Sequence, residues 1–206
     1  MLQQLIRRHV FAALGVLGLP VVGLSACAAP GRGAASRPFN GGVLTQPLAI
    51  PELTLQRADG RPFTTSEARG RWAFYFFGYT TCPDVCPMTL AYISQVRRQL
   101  GQAAPDAYFV TVDPARDTPA RLKEYMANFD SGIAALTGTE EQLARARAAF
   151  GVVAEKRVVE GSGAGYFMDH TALIYLVNPA QQVQLVYPHG MTPADIVADV
   201  RRLVLS

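Results

Sequence analysis

The chain has 206 residues, half of them hydrophobic, with 19 basic against 16 acidic side chains, enough for one well-packed domain with its own core. No lysine- or arginine-rich block occurs, so nucleic acid is excluded from the expected partners.

The first segment reads as export machinery rather than domain. Arg7 and Arg8 give a positive flank, and an apolar run over 10–24 contains Pro20 and closes on Ser25-Ala26-Cys27. It is short for a membrane span and ends on small residues, the pattern of a secretory signal. Small residues directly before a cysteine resemble the bacterial lipobox, which predicts a signal peptide over 1–26 and a lipidated Cys27. The competing reading is an uncleaved N-terminal anchor with an incidental cysteine. Either one tethers the domain to the bacterial cell envelope, outside the cytoplasm. Without Arg7 and Arg8 the 19 basic residues fall to 17 against 16 acidic, a net charge of +1. Residues 27–47, rich in Gly, Ala and Arg up to Gly42, read as a flexible tether, and 48–206 as the domain.

From there the signals alternate. Strands are expected over 53–56 and 73–77, the second so apolar and aromatic that both its faces must be covered. Leu90, Ile93, Val96 and Leu100 fall at helical spacing over 87–100, with Gly101 placed as the C-cap. A strand follows over 108–112. Thr118-Pro119 reads as an N-cap and first helical position opening a helix to about Phe129. Thr139 and Gln142 have the form of a capping box for a helix reaching Phe150. A short strand is expected over 152–154, then strands over 172–177 and 183–187 joined by the turn Asn178-Pro179-Ala180-Gln181. Thr192-Pro193 opens a last helix. The order β-β-α-β-α-α-β-β-α predicts an α/β sandwich with a mixed sheet, in one domain without repeats.

The chemistry concentrates in Phe77-Gly78-Tyr79-Thr80-Thr81-Cys82-Pro83-Asp84-Val85-Cys86-Pro87. Of three cysteines, one is assigned to lipidation, leaving Cys82 and Cys86 as a pair in an oxidising compartment. Residues at i and i+4 share a helix face, and a helix N-terminus favours thiolate over thiol. Thiolate both attacks disulfides and binds soft metals, so the pair is primed for either role. Thioredoxin-type oxidoreductases carry one residue fewer between their cysteines. Asp169-His170, immediately before a strand, would add an imidazole nitrogen beside the turn in a thioredoxin-like domain. Two sulfurs and one nitrogen suit copper in either oxidation state. Asp169 is placed to orient the ring, and Asp84 either to tune thiolate basicity or to cap the helix.

Met88 and Met168 read as packing, His189 as a loop residue, and Asp113 and Asp117 as turn-forming and capping groups. Gly161-Ser162-Gly163-Ala164-Gly165 follows no strand-to-helix transition and is no nucleotide loop. It reads as a hinge that lets His170 approach the cysteines. Tyr79 stands where a peroxiredoxin would need threonine, three before its attacking cysteine, which argues against peroxide reduction.

Together, the cysteine turn, Thr111-Val112-Asp113-Pro114-Ala115-Arg116-Asp117-Thr118-Pro119 and Asp169-His170-Thr171 resemble the SCO/SenC family. These are thioredoxin-fold copper proteins implicated in cytochrome c oxidase assembly. The resemblance implies a thioredoxin-like α/β fold with a mixed central sheet flanked by helices, and copper ligands at Cys82, Cys86 and His170. It implies a periplasm-facing metallochaperone serving the CuA centre of cytochrome c oxidase subunit II. Its further partners would be a periplasmic copper donor, a thiol reductant and the membrane through a lipid anchor. A thiol-disulfide reductase using Cys82 and Cys86 is the alternative within the family. The turn at 178–181 departs from the Asp-Pro-x-Gly common among relatives.

Overall fold

A computed structural model describes residues 38–160 and 165–204. The leader, Cys27 with its expected lipidation, and all but the last residue of the expected hinge lie outside them. The strands are β1 Leu48–Ala49, β2 Thr54–Arg57, β3 Pro62–Thr64, β4 Ala73–Gly78, β5 Asp106–Thr111, β6 Ile133–Thr137, β7 Ala154–Val158, β8 Tyr166–His170, β9 Leu173–Val177 and β10 Gln182–Pro188. The helices are α1 Val85–Leu100, α2 Pro119–Met126, α3 Glu140–Phe150 and α4 Pro193–Val204.

Eight strands form one mixed sheet in the order β1-β10-β9-β4-β5-β6-β2-β3, and β7 and β8 form a separate two-stranded sheet. The β4–β5–β6 core is parallel, and β9 runs antiparallel to β4. This is the mixed sheet with flanking helices of the thioredoxin-like fold.

Every residue of β4 is buried, as its unbroken apolar run requires. Alternation then sorts the side chains. Tyr75 and Phe77 lie against Phe150 of α3 at 4.9 and 5.2 Å between ring centres. On the other face Phe76 meets Phe109, and Gly78 faces Cys86 of α1. Helices therefore cover both faces, and each fully buried aromatic contributes about 1.5–3 kcal/mol.

The expected helix signals operate. Thr118 accepts from the Arg121 amide with Pro119 behind it, Thr139 and Gln142 close a reciprocal box, and Gly101 ends α1 at φ 57°. Differences lie elsewhere. The α2 helix stops at Met126, where Ala127 and Phe129 continue as turns. The strand expected over 152–154 runs Ala154–Val158 instead. Strands β1, β3, β6 and β8 have no counterpart among the expected elements. The domain also takes in residues assigned to the tether. Fully buried Asp199 accepts the Asn40 and Gly41 amides at 3.0 and 2.8 Å, and Gly42 bridges to Val186. Glycines that loosen a free chain here let backbone approach closely. A Cβ on Gly41 would lie 2.6 Å from the Tyr187 ring. Among the described residues, no helix is long and apolar enough to cross a membrane.

Candidate metal centre

β4 ends on Gly78, and the chain turns through residues 79–84 into α1. Gly78 makes room, because a Cβ there would lie 2.8 Å from Phe109 and 2.9 Å from Cys86 Sγ. The Cys86 sulfur can therefore rest, wholly buried, against the strand end. Cys82 sits on the turn, partly exposed, and its Sγ accepts the Cys86 amide at 3.4 Å. That amide belongs to the first turn of α1, where unpaired N–H groups and the helix dipole favour negative charge.

His170 arrives from β8, at the end of the separate hairpin. Its Nε2 lies 3.5 Å from Cys86 Sγ, and its ring stands edge-on to Tyr79 at 5.7 Å. Nδ1 lies 3.1 Å from the Thr171 carbonyl. A carbonyl can only accept, so this contact places the proton on Nδ1 and leaves the Nε2 lone pair facing the sulfurs.

The two thiols share a proton unequally. Donation by the Cys86 thiol, with the adjoining His170 ring and the Asp84 and Cys86 amides, brings Cys82 down to about 4 against the opposing effect of burial. The same bond, burial and the neighbouring negative charge push Cys86 upward. Negative charge thus resides on Cys82, beside the helix terminus.

The Sγ atoms and one His170 nitrogen all lie within 4.8 Å of one another, the one such cluster of three among the described residues. With bonds of about 2.0–2.3 Å, donors to one ion stand roughly 3.5–4 Å apart, so shifts of about an ångström close the set. Two thiolates and an imidazole fit a soft ion. A cavity of about 260 Å³, with Pro83, Asp84, Phe167 and Met168 in its wall, opens beside Cys82 and His170. That leaves one side of the set accessible, unlike a closed four-ligand structural site.

Asp169 and Asp84 are placed differently from expectation, whereas His189 lies in a loop as expected. Asp169 pairs with Arg157 across the hairpin at 2.8 Å, because successive strand residues face opposite ways. Orientation of the His170 ring falls to the Thr171 carbonyl instead. Asp84 occupies the N-cap of α1 but makes no side-chain cap, and it lies at the cavity mouth. Met168 lines the cavity, while His189 is exposed in the turn after β10.

Several polar supports went unrecognised in the sequence. Asp117, fully buried, accepts from the Thr80 amide at 3.1 Å and from the Thr80 and Thr111 hydroxyls at 2.6 Å each. It caps no helix. Burial pushes its carboxyl upward, against the bonds from Thr111 and Thr80. Asp113 accepts from Arg116 and from the Tyr166 hydroxyl. The buried aspartates of a motif rich in turn formers were the available signal. Their distant partners, Thr80 and Tyr166, lie 37 and 53 residues away and leave no trace in local spacing.

Comparison with known proteins gives one consistent family. Residues 45–205 match SCO1/SenC. A candidate copper-binding protein of Stutzerimonas stutzeri is 39% identical over 144 residues, 66% of this chain and 68% of its own length. Across three curated relatives, the chain spans 55% to 68% of their length. Bradyrhizobium japonicum ScoI, solved with copper bound, is 37% identical with a TM-score of 0.68, covering 75% of this chain and 98% of that one. BsSco, in which a disulfide switch was identified, is described as a member of the Sco family of cytochrome c oxidase assembly proteins. It is 26% identical with a TM-score of 0.60, covering 79% and 98%.

Proposed function

The chain belongs to the SCO1/SenC family, and on that premise we propose that it is a copper carrier of cytochrome c oxidase assembly, with Cys82, Cys86 and His170 as the ligands. The convergence of those donors within 4.8 Å carries the reading. Copper is cargo here, and each residue has a separate task. Cys82 presents a thiolate at the accessible side of the cluster. Cys86 completes the pair on losing its proton to solvent as metal enters. His170 offers Nε2, while the Thr171 carbonyl holds the ring. An open side suits a site from which an ion must leave.

The finer proposal is a periplasm-facing domain that delivers copper to the CuA centre of oxidase subunit II after loading from a periplasmic donor. A signal over 1–26 and a lipidated Cys27 would supply its membrane anchor.

The accessible thiolate supports a second reading, a thiol-disulfide reductase. Cys82 would attack a partner's disulfide, forming a mixed disulfide and releasing one partner thiolate. Deprotonated Cys86 would then displace the second, leaving a Cys82–Cys86 disulfide and a partner reduced by two electrons. A thiol reductant would have to reset the pair before copper could bind again.

Titration of wild type and His170→Ala with each copper ion separates the readings. For a carrier, His170→Ala should weaken Cu(II) far more than Cu(I), since two thiolates alone still satisfy the softer ion. Wild-type protein that develops no sulfur-to-copper charge-transfer band with Cu(II) under anaerobic conditions sinks the carrier assignment. A reductase would instead retain full disulfide-reducing activity in His170→Ala.

A further inference from the structure

We infer that the loop at 113–117, which supplies no metal ligand, is the positioning device that fixes His170 against the cysteine turn; the inference rests on the copper-carrier reading above. The need for such a device follows from topology. His170 ends a hairpin whose strands pair only with each other, and an isolated two-stranded hairpin is marginally stable at best. Something other than sheet pairing must hold it in place.

The loop grips the start of β8 at three points on one residue. The Tyr166 hydroxyl donates to Asp113 Oδ1 at 2.9 Å. The Tyr166 carbonyl accepts from Arg116 Nη1 at 2.9 Å. Its ring lies under the Arg116 guanidinium at 3.6 Å from the ring centre. Arg116 in turn donates to Asp113 Oδ2 at 2.5 Å, so hydroxyl, carbonyl and ring are fixed relative to one another. One residue on, Asp117 binds the backbone and hydroxyl of Thr80, two residues before Cys82. A single short loop thereby holds both arms of the site.

Burial makes the bridge stiff. Asp113 and Asp117 are 3% and 0% exposed, and a buried carboxylate stripped of its donors is costly. Tyr166 and His170 bound the same strand, four steps of about 3.3 Å apart. Clamping Tyr166 therefore limits how far His170 can swing. Tyr166 and Arg116 are positioning residues, acting on the ion through His170.

Tyr166→Phe is the mild test, because it keeps the ring under Arg116 and removes only the hydroxyl bond. Loosening β8 by the loss of this bond should weaken Cu(II) by up to about fivefold, change Cu(I) by less than about twofold, and lower the metal-free melting temperature by only about 2–4 °C. Arg116→Lys removes the ring and carbonyl contacts together and should weaken Cu(II) further. The decisive arm is a double-mutant cycle. In a His170→Ala background, Tyr166→Phe should produce no further Cu(II) loss. Wild-type Cu(II) affinity in Tyr166→Phe, or an undiminished loss in the double variant, overturns the inference. An independent arm uses metal-free protein. The nuclear Overhauser effect between the Tyr79 and His170 rings should weaken in Tyr166→Phe, and an unchanged effect overturns the inference even if wild type fails to bind copper, a failure that counts against the carrier reading alone.

Discussion

The eight-stranded body and the β7–β8 hairpin hold the two halves of the candidate site by opposite means. The body fixes the cysteine turn through a strand in which every residue is buried, flanked by aromatic contacts on both faces. The hairpin that brings His170 leaves most of β7 exposed, with Val158 69% accessible. It is tied to the body by polar and ring contacts and by the partly buried Ala154 and Met168 packed against the edge of the core. The difference assigns distinct jobs. The body sets where the sulfurs are and most of how acidic they are, and the hairpin adds a nitrogen from outside the main sheet. A site of this kind can grade its grip on an ion by moving one ligand.

The strongest way to break that comparison is to truncate each region. Phe77 is fully buried and meets Phe150 and Tyr175, so Phe77→Ala should cost about 3–5 kcal/mol of folding free energy. Val158→Ser, on the exposed hairpin, should stay within about 0.5 kcal/mol. Urea unfolding of the two variants measures both. Comparable losses would mean that the hairpin shares the body's cooperative core.

A second test sharpens the division of labour at the sulfurs. With Cys82 brought down to about 4, its thiolate persists well below neutral pH. Alkylation by iodoacetamide should then change little between roughly pH 8 and pH 5, whereas an ordinary thiol with a pKa near 8.5 slows about tenfold per unit. The sign is that of a depressed thiol: reactivity is retained as pH falls and is lost only on approaching pH 4. The Cys86 thiol contributes more to this than the His170 ring does. Cys86→Ala should therefore move the profile upward more than His170→Ala does. The reverse order would put the hairpin, not the body, in control of Cys82.

Much of the body was legible because its signals are local. The aromatic run of β4, the Thr118-Pro119 cap, the Thr139–Gln142 box and the Gly101 terminus each act within one turn or strand. Strand β6, Ile-Ala-Ala-Leu-Thr, was not legible, since alanine has little strand preference and parallel pairing with β5 supplies the reason it is extended. Strand β3 starts at Pro62, tolerable only because this is an edge. Strand β8, Tyr-Phe-Met-Asp-His, has no apolar alternation, and its partner rather than a core makes it a strand. The same split runs through the site. Cys82, Cys86 and His170 announce themselves by residue type, and the structure brings their donor atoms together. The grip of Asp113, Arg116 and Asp117 on Tyr166 and Thr80 depends on contacts far apart in the chain. Asp169, chosen for its adjacency to His170, faces Arg157 because a strand alternates.

The smallest expected effect separates stability from the site altogether. Gln181 closes the turn between β9 and β10 with φ 60°, a left-handed conformation that favours glycine. Its side chain is buried, yet neither amide atom has a hydrogen-bond partner among the described residues. Gln181→Gly should relieve about 1 kcal/mol of backbone strain and remove an unsatisfied buried amide. Greater freedom of the unfolded chain offsets part of that, by about 0.4–1 kcal/mol. The net gain should be about 1 kcal/mol, raising the melting temperature by roughly 2–4 °C in a domain of this size. Val177, just before this turn, pairs with Ala73 at the start of β4, whereas the cysteine turn follows Gly78 at its end. The intervening strand spans roughly 16–20 Å, so copper affinity should not change. A fall in melting temperature would mean that the buried glutamine packs better than its missing partners imply. A change in copper affinity would mean that the body transmits strain along β4 to the sulfurs, and the site would no longer be separable from the sheet that carries it.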